Sequence, residues 1–328
     1  MSKSQKELIY YIVKRLLQGI PMILAVIVLC FIIIKLAPGD PISLLTVGYT
    51  PTEEMREILE STWGLDKPVL VQLWNYITDM VTGNFGYSYM QSAPVTEILS
   101  ERLPKTFLLM FTALTLSTIL GTLAGIYCSR RMYTLGDNVI RVFALVGYSA
   151  PMFWIAEVLI LIFAVQLGWF PVSGMVSLRG NYEGLAKVLD VMYHMVLPVI
   201  TLSFWFSAMM IRISRTKMAD VLQSDYIKTA MAKGASDRRV TYRHAFRNAM
   251  APLVTVVGME FGSMFMGACV IETIFAWPGT GRLMYNAIVQ RDYNLVTGLF
   301  SVISISVIVV NIIVDIIYAL LDPQVRYE

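Results

Sequence analysis

The chain offers few side chains that could carry out catalysis. It has two histidines, His194 and His244, and its three cysteines form no Cys-x-x-Cys pair. A histidine-rich metal site is therefore not expected. The sequence contains no Gly-x-x-x-x-Gly-Lys-Ser/Thr loop for nucleotide phosphates, no His-Glu-x-x-His and no Gly-x-Ser-x-Gly. We expect no catalytic residues, no metal site and no cofactor in this chain, which should not hydrolyse ATP.

The charged side chains that are present concentrate in one segment, residues 212–252. This segment carries nine of the 26 lysines and arginines: Arg212, Arg215, Lys217, Lys228, Lys233, Arg238, Arg239, Arg243 and Arg247. Arg239, Arg243 and Arg247 recur every four residues and are predicted to form one stripe along a helix. Such a stripe could bind a protein partner, or it could contact anionic lipid head groups.

The same basic segment is predicted to fold as two helices joined by a turn. Met218–Lys233 forms the first helix, which ends at Gly234 because glycine tolerates the left-handed conformation after a helix. Ser236 is predicted to cap the second helix. The turn Ala230–Ala235 has mostly small side chains, which would let a partner approach the backbone closely.

The rest of the chain has the composition of an integral membrane protein. Hydrophobic residues make up 56% of it and charged residues 15%, against roughly 25% charged residues in soluble domains. Apolar runs of about 20 residues are long enough to cross a bilayer. Six spans are predicted, the third kinked at Pro151: 16–36, 104–128, 139–167, 191–211, 253–275 and 295–321. Nucleic-acid binding is not expected, because the basic residues lie at span ends.

The distribution of basic residues predicts the orientation of these spans. With the N-terminus inside, the inner segments hold 17 of the 26 lysines and arginines and the outer segments hold 8. Cytoplasmic segments of membrane proteins are enriched in these residues. Both termini and the segment 212–252 are therefore predicted to be cytoplasmic, and the first span is predicted to be retained.

The predicted spans and their orientation divide the chain into three regions. Residues 1–36 form the N-terminal tail and first span, 37–103 an extracytoplasmic region, and 104–328 a core with five spans. Within the extracytoplasmic region, 52–59 is predicted to form a short amphipathic helix. Gly83, Asn84 and Gly86 predict a turn.

Several blocks of sequence resemble a known family. Residues 225–235, DYIKTAMAKGA, and the residues up to Pro252 resemble the cytoplasmic signature loop of ATP-binding-cassette importer permeases. The similarity is to the first permease subunit of the dipeptide, oligopeptide and nickel branch. Lys228, Thr229 and Ala230 stand where the general signature has Glu-Ala-Ala, a departure that is usual in this branch. Further blocks that resemble it are 37–41 (APGDP), 83–86 (GNFG), 271–283 (IETIFAWPGTGRL) and 311–327.

The resemblance implies an all-α polytopic membrane protein with about six transmembrane helices and the type I importer permease fold. It implies a second homologous permease, two cytoplasmic ATPase subunits that bind ATP and Mg, an extracytoplasmic binding protein and surrounding membrane lipid. The expected location is the cytoplasmic membrane of a prokaryote.

The resemblance also suggests functional residues. The residues expected to couple to the ATPase are Tyr226, Thr229, Ala230, Ala232, Lys233, Gly234, Ala235, Arg239 and Arg243. Those expected on the pathway or its gate are Gly258, Glu260, Gly262 and Glu272, and those expected to contact the binding protein are Trp277, Pro278 and Gly279. Gly258 and Gly262 also form a Gly-x-x-x-Gly pair that favours close helix packing.

Alternatives to these assignments remain open. Glu260 could serve helix packing, and the turn at Trp277 could be an ordinary interfacial turn. Peptides are the first choice of substrate, with nickel, a metal chelate or glutathione as the alternative. An ion-coupled secondary transporter would need ion-binding groups near the midplane, where only Glu157 and Glu260 qualify. A membrane-embedded enzyme would need a nucleophile or metal set, which the sequence lacks.

Overall fold

The computed structural model describes residues 3–36, 52–64, 66–88, 90–177, 180 and 182–321. The block 37–41 and the end of the block 311–327 lie outside the described residues. The elements in chain order are α1 Lys3–Leu36, α2 Glu53–Trp63, α3 Val69–Thr82, β1 Tyr87–Ser88, β2 Ala93–Pro94, α4 Val95–Arg130, α5 Leu135–Ser149, α6 Met152–Leu159, a π-helix Ile160–Gln166, α7 Gly184–Leu222, α8 Asp225–Ala232, α9 Asp237–Arg239, a π-helix Val240–Ala245, α10 Phe246–Ile274, α11 Thr280–Val289 and α12 Tyr293–Leu321.

The helices confirm the predicted all-α membrane architecture. Five stretches in the described part of the chain are long and apolar enough to cross a membrane: Ile9–Ile33, Val95–Arg130, Gly184–Leu222, Asp237–Ile274 and Tyr293–Leu320. A sixth candidate is the bent pair formed by α5 and α6 with its π-helix. The number of spans is therefore five, or six if the bent pair counts as one.

The bent pair lies where the sequence predicted a kink. The helix axis bends by 108° between its two halves, so the break is much sharper than a kink within one helix. Ala150 is extended, with φ −75° and ψ 137°, because the ring of Pro151 disfavours the helical conformation of the residue before it. Met152 then starts a new helix.

Other helices extend beyond the predicted apolar runs, or were not predicted. α4 begins nine residues before Pro104, and α7 covers 39 residues. Hydropathy detects only the part of a helix that lies in the membrane, so polar continuations are missed. The short amphipathic helix is confirmed as α2, with Thr52 capping its N-terminus. α3, α11 and the two-residue strands were not predicted.

Backbone packing divides the chain into two compact units, which do not follow the three sequence regions. The first consists of Pro104–Arg282 with the first residues of α1 and the last residues of α12, 3–14 and 310–321. The second consists of Arg15–Leu103 and Leu283–Val309. The division into three regions stays a prediction.

In the first unit, α4 and α7 approach each other closely at two glycines. A Cβ on Gly121 would lie 2.5 Å from Met210 Cβ, and a Cβ on Gly125 would lie 2.5 Å from Ser214 Cβ. This Gly-x-x-x-Gly pair was not predicted from the sequence, from which Gly258 and Gly262 were selected instead. Gly258 also meets a helix, since its Cβ would lie 2.9 Å from Val314 Cγ1.

The second unit has its own apolar core. Its buried members are Val95, Ile98, Leu99, Leu283, Ala287, Leu295 and Leu299. The short hairpin is fixed to the start of α12, because the hydroxyl of buried Ser88 donates a hydrogen bond to the carboxylate of Asp292. Asn294 Nδ2 donates to the carbonyl of Tyr87 at 3.0 Å. Gly83 and Gly86 have positive φ, which confirms the predicted turn before this hairpin.

Candidate functional site

The basic segment contains a break that the sequence analysis did not predict. A continuous helix over Met218–Lys233 is wrong, because α7 ends at Leu222 and α8 begins at Asp225. Ser224 is extended, with φ −70° and ψ 152°, and its hydroxyl donates to the carbonyl of Val221 at 2.6 Å. Serine competes with the helix for backbone hydrogen bonds, which favours such breaks. The eight-residue α8 is thereby separated from the long membrane helix.

Ile227 fixes α8 to the rest of the first unit. Its side chain is fully buried, while residues on both sides of it in α8 are exposed. It packs in a cluster with Ile126, Met218, Val240, Ala245 and Ala249. These residues come from α4, α7, the π-helix Val240–Ala245 and α10. One apolar anchor therefore connects the short helix to the ends of three long ones.

The turn after α8 is a Schellman motif centred on Gly234. The amide of Ala235 donates to the carbonyl of Ala230 at 3.2 Å, and the amide of Gly234 donates to Met231 at 2.9 Å. Gly234 has φ +80°, as predicted, and a Cβ there would meet nothing within 4 Å. Glycine is thus required by backbone conformation and not by crowding within the chain.

The second helix departs from the predicted regular stripe of arginines. Ser236 precedes it, but its side chain makes no capping hydrogen bond. The π-helix Val240–Ala245 follows, so Val240 and Ala245, five residues apart, are both buried. The wider turn lets both of them reach the Ile227 cluster. Arg239 and Arg243 remain exposed, but without regular α-helical spacing.

The outer face of α8 and its turn forms an exposed surface, which we call the coupling surface. Its exposed residues are Tyr226, Thr229, Ala232, Lys233 and Gly234, whereas Ala230 and Ala235 are half-buried. The phenol oxygen of Tyr226 accepts a hydrogen bond from Asn248 Nδ2 at 2.7 Å, which supports the surface from α10. The arrangement presents small, polar and basic groups on a helix held from behind.

On the predicted outer side of the membrane, the turn after α10 packs into the protein interior. Trp277 is fully buried, and its Nε1 donates to the carbonyl of Lys105 at 3.0 Å. Gly279 is buried and Pro278 half-buried. Contact of these three residues with a binding protein stays a prediction. For Trp277 such a contact would require the turn to open, because the side chain has no exposed surface.

Glu272 holds this turn in place. Its carboxylate accepts hydrogen bonds from the Thr106 hydroxyl at 2.6 Å and from the Gly281 and Arg282 amides at 2.7 and 3.2 Å. The two amides lie in the first turn of α11, where a negative charge is favourable. A Cβ on Gly279 would collide with this carboxylate. Glu272 is fully buried, so a gating role would begin with release of these bonds.

Glu260 has a different environment from Glu272. It is 5% exposed, and neither carboxylate oxygen has a hydrogen-bond partner among the residues that the structure describes. A buried carboxylate without partners is costly inside a membrane protein. Gly258 on the same helix is buried and Gly262 half-buried. Their place on a translocation pathway stays a prediction.

Sequence reasoning missed three features that organise these sites: Thr106, the anchor Ile227, and the ion pair between Asp137 and Arg215. Asp137 and Arg215 lie 78 residues apart, and their bidentate contact has distances of 2.8 and 2.9 Å. No local pattern could have paired them. Within the described residues, no group of three or more histidine, cysteine or acidic side chains could hold a metal ion.

Comparison with known proteins agrees with this geometry. Residues 117–327 match the family described as binding-protein-dependent transport system inner membrane component, and residues 8–110 match its N-terminal family.

Three relatives match over 97% of this chain and 99% of their own length. They are an oligopeptide transport system permease protein, AppB, of Bacillus subtilis at 36% identity, a probable peptide ABC transporter permease protein, y4tP, of Sinorhizobium fredii at 38%, and a glutathione transport system permease protein, GsiC, of Escherichia coli at 36%. The chain belongs to the family of inner membrane components of binding-protein-dependent transport systems, with the fold of type I ABC importer permeases.

Proposed function

We propose that this chain forms half of the translocation pathway of an ATP-driven importer of peptides. A second, homologous permease supplies the other half, and two cytoplasmic ATPase subunits supply the energy. An extracytoplasmic binding protein delivers the substrate. In this proposal both termini and the coupling surface face the cytoplasm, which is supported by the excess of lysine and arginine in those segments.

The coupling surface is the observation that carries this proposal. A helix of eight residues is held from behind by the buried Ile227 and ends in a defined turn at Gly234. The residues Tyr226, Thr229, Ala232, Lys233 and Gly234 are exposed on it. A short helix packed against the ends of three long helices can pass a displacement on to them. ATP-driven closure of the ATPases would thus move α8 and, through Ile227, the helices α4, α7 and α10.

The substrate class rests on the relatives. The names of two of the three relatives refer to peptide transport, and the name of the third refers to transport of glutathione, which is itself a tripeptide. Peptides are therefore the primary proposal and glutathione the second candidate. Nickel or a metal chelate remains the alternative from the sequence, with no observation that favours it.

Reconstitution of the assembled transporter with its binding protein tests the coupling. Thr229→Trp adds a large side chain to the exposed face of α8 without touching Ile227. We expect peptide uptake and its stimulation of ATP hydrolysis to fall at least tenfold, because the ATPase can no longer seat against the helix. The matched control is Leu135→Trp, at a site 83% exposed on the same predicted side of the membrane. Uptake that stays intact after deletion of residues 226–234 would refute the coupling role.

A further inference from the structure

An open groove runs between α5 and α7 in the first unit. It has a volume of about 510 Å³, which is within the range of about 300–1,000 Å³ for small-molecule sites. The two helices are antiparallel, because Asp137 pairs with Arg215 while Tyr148 stacks on Trp205 at 5.7 Å between ring centroids. The groove thus has two distinct ends.

One end of the groove is cationic. Arg141 and Arg212 line it, and both are exposed. Neither has a carboxylate within 4 Å among the residues that the structure describes. The neighbouring Arg215 is neutralised by the buried Asp137, which also holds the two helices together at this end. Two positive charges are therefore left without a counter-charge in the groove.

The other end is apolar. From Arg141, the groove follows α5 past Val142 and Leu145 to Tyr148, and follows α7 past Met209 to Ala208. Seven residues of helix separate Arg141 from Tyr148, or about 10 Å along the axis. Val142, Leu145 and Tyr148 are each more than half exposed.

The position of Arg141 makes its lack of a counter-charge informative. Arg141 lies in the helical segment that forms the first half of a candidate membrane span. Charged side chains at such positions usually pair or face a polar ligand. An exposed arginine beside an apolar wall suits a ligand with a negative head and an apolar tail.

We propose that this groove binds an anionic phospholipid of the cytoplasmic leaflet. Arg141 and Arg212 hold its phosphate, and an acyl chain follows the apolar wall towards Tyr148. Basic pockets between helices on the cytoplasmic side suit such head groups. The leaflet follows from the proposed orientation of the chain, whereas the selectivity for a negative head group does not depend on peptide transport.

Native mass spectrometry of the purified assembly tests the site. The assembly is stripped of lipid in detergent and then titrated with phosphatidylglycerol or with zwitterionic phosphatidylcholine. We expect tight retention of phosphatidylglycerol only. Each removed charge should weaken its binding about fivefold, so Arg141→Gln with Arg212→Gln should weaken it about 25-fold. The matched control is Arg238→Gln, an exposed cation outside the groove, which should retain the lipid.

Two further measurements test the charge and the position of the site separately. Arg141→Lys with Arg212→Lys keeps the charge and should keep most of the binding, which distinguishes loss of charge from misfolding. A photoactivatable phosphatidylglycerol should cross-link to peptides that contain residues 138–148 or 208–216.

Several outcomes would overturn the proposal. They are equal retention of the two lipids, unchanged retention in the double glutamine variant, displacement of the lipid by free peptide, or cross-links that place the second permease in the groove. A transporter that binds phosphatidylglycerol selectively but imports no peptide would refute the proposed function and leave this site standing.

Discussion

The hydroxyl of Thr106 donates a 2.6 Å hydrogen bond to the carboxylate of Glu272, which lies 166 residues later in the chain. Thr106 also accepts a hydrogen bond from the amide of Thr280 at 2.8 Å. Together with the bonds from Gly281 and Arg282, these contacts join α4 to the end of α10 and the start of α11 at one buried carboxylate. This network of hydrogen bonds fixes the conformation of the turn around Trp277.

Removing the carboxylate should therefore destabilise the first unit. Glu272→Leu leaves the buried Gly281 amide without its acceptor, at a cost of about 1–3 kcal/mol. The Thr106 hydroxyl loses its bond to the carboxylate but keeps the Thr280 hydroxyl at 3.0 Å. We expect a lower apparent Tm of the detergent-purified assembly. Glu272→Gln should lower the Tm less, because its amide oxygen still accepts a hydrogen bond.

The control for this comparison is Glu57→Leu, which replaces an exposed glutamate on α2. It should leave the Tm nearly unchanged. If Glu272→Leu unfolded at the same temperature as this control, the carboxylate would not be what holds the turn.

The ion pair between Asp137 and Arg215 gives a second prediction. Asp137 is fully buried and the Arg215 side chain is 17% exposed. Arg215→Met leaves a buried carboxylate without its counter-charge, although the amide of Tyr133 at 2.9 Å and the thiol of Cys128 still bond to it. Loss of one partner from such a pair costs about 3–5 kcal/mol, so thermal unfolding of the purified assembly should shift strongly downwards.

A double variant separates the pair from its individual charges. Asp137→Asn combined with Arg215→Met should recover part of the lost stability, since no unpaired charge remains. The matched control is Arg130→Met, which removes an exposed ion pair with Asp237 and should cost no more than about 1 kcal/mol. Equal losses for Arg130→Met and Arg215→Met would contradict the importance of burial.

The anchor of the coupling surface gives a third prediction. Ile227→Ala removes a fully buried side chain from the contact between α8 and its cluster, which costs about 2–5 kcal/mol. The cost should appear as local opening of α8. Hydrogen–deuterium exchange of amides 225–235 should then accelerate at least tenfold, with little change in α12.

Met231→Ala is the comparison for this variant, because Met231 lies on the same helix and is 49% exposed. Its amide exchange should stay close to that of the unmodified protein. Similar protection of α8 in the two variants would show that Ile227 does not hold the helix.

Local patterns in the sequence are sufficient to predict part of this protein's structure. Hydropathy predicted the membrane spans, because apolar runs of about 20 residues record the thickness of a bilayer. Gly234 predicted the end of α8, since a positive φ follows from the residue type. The blocks around residues 225–235 and 271–283 predicted the family, which the comparisons confirmed.

Other features could not be predicted, because they depend on which distant helices touch. The break at Ser224 and the π-helix Val240–Ala245 place Ile227, Val240 and Ala245 in one cluster, which no single helical period encodes. The helices α4 and α7 approach each other closely at Gly121 and Gly125, a pair with no stronger local signal than Gly258 and Gly262.

The class of protein and its membrane spans can thus be read from the order of residues alone. Each of these depends on residue type and spacing within about 20 positions. Helix packing, in contrast, makes Glu272 a buried anchor, neutralises Arg215 and brings Arg141 and Arg212 to one groove. Those roles arise from contacts between helices far apart in the chain, where packing sets burial and charge pairing.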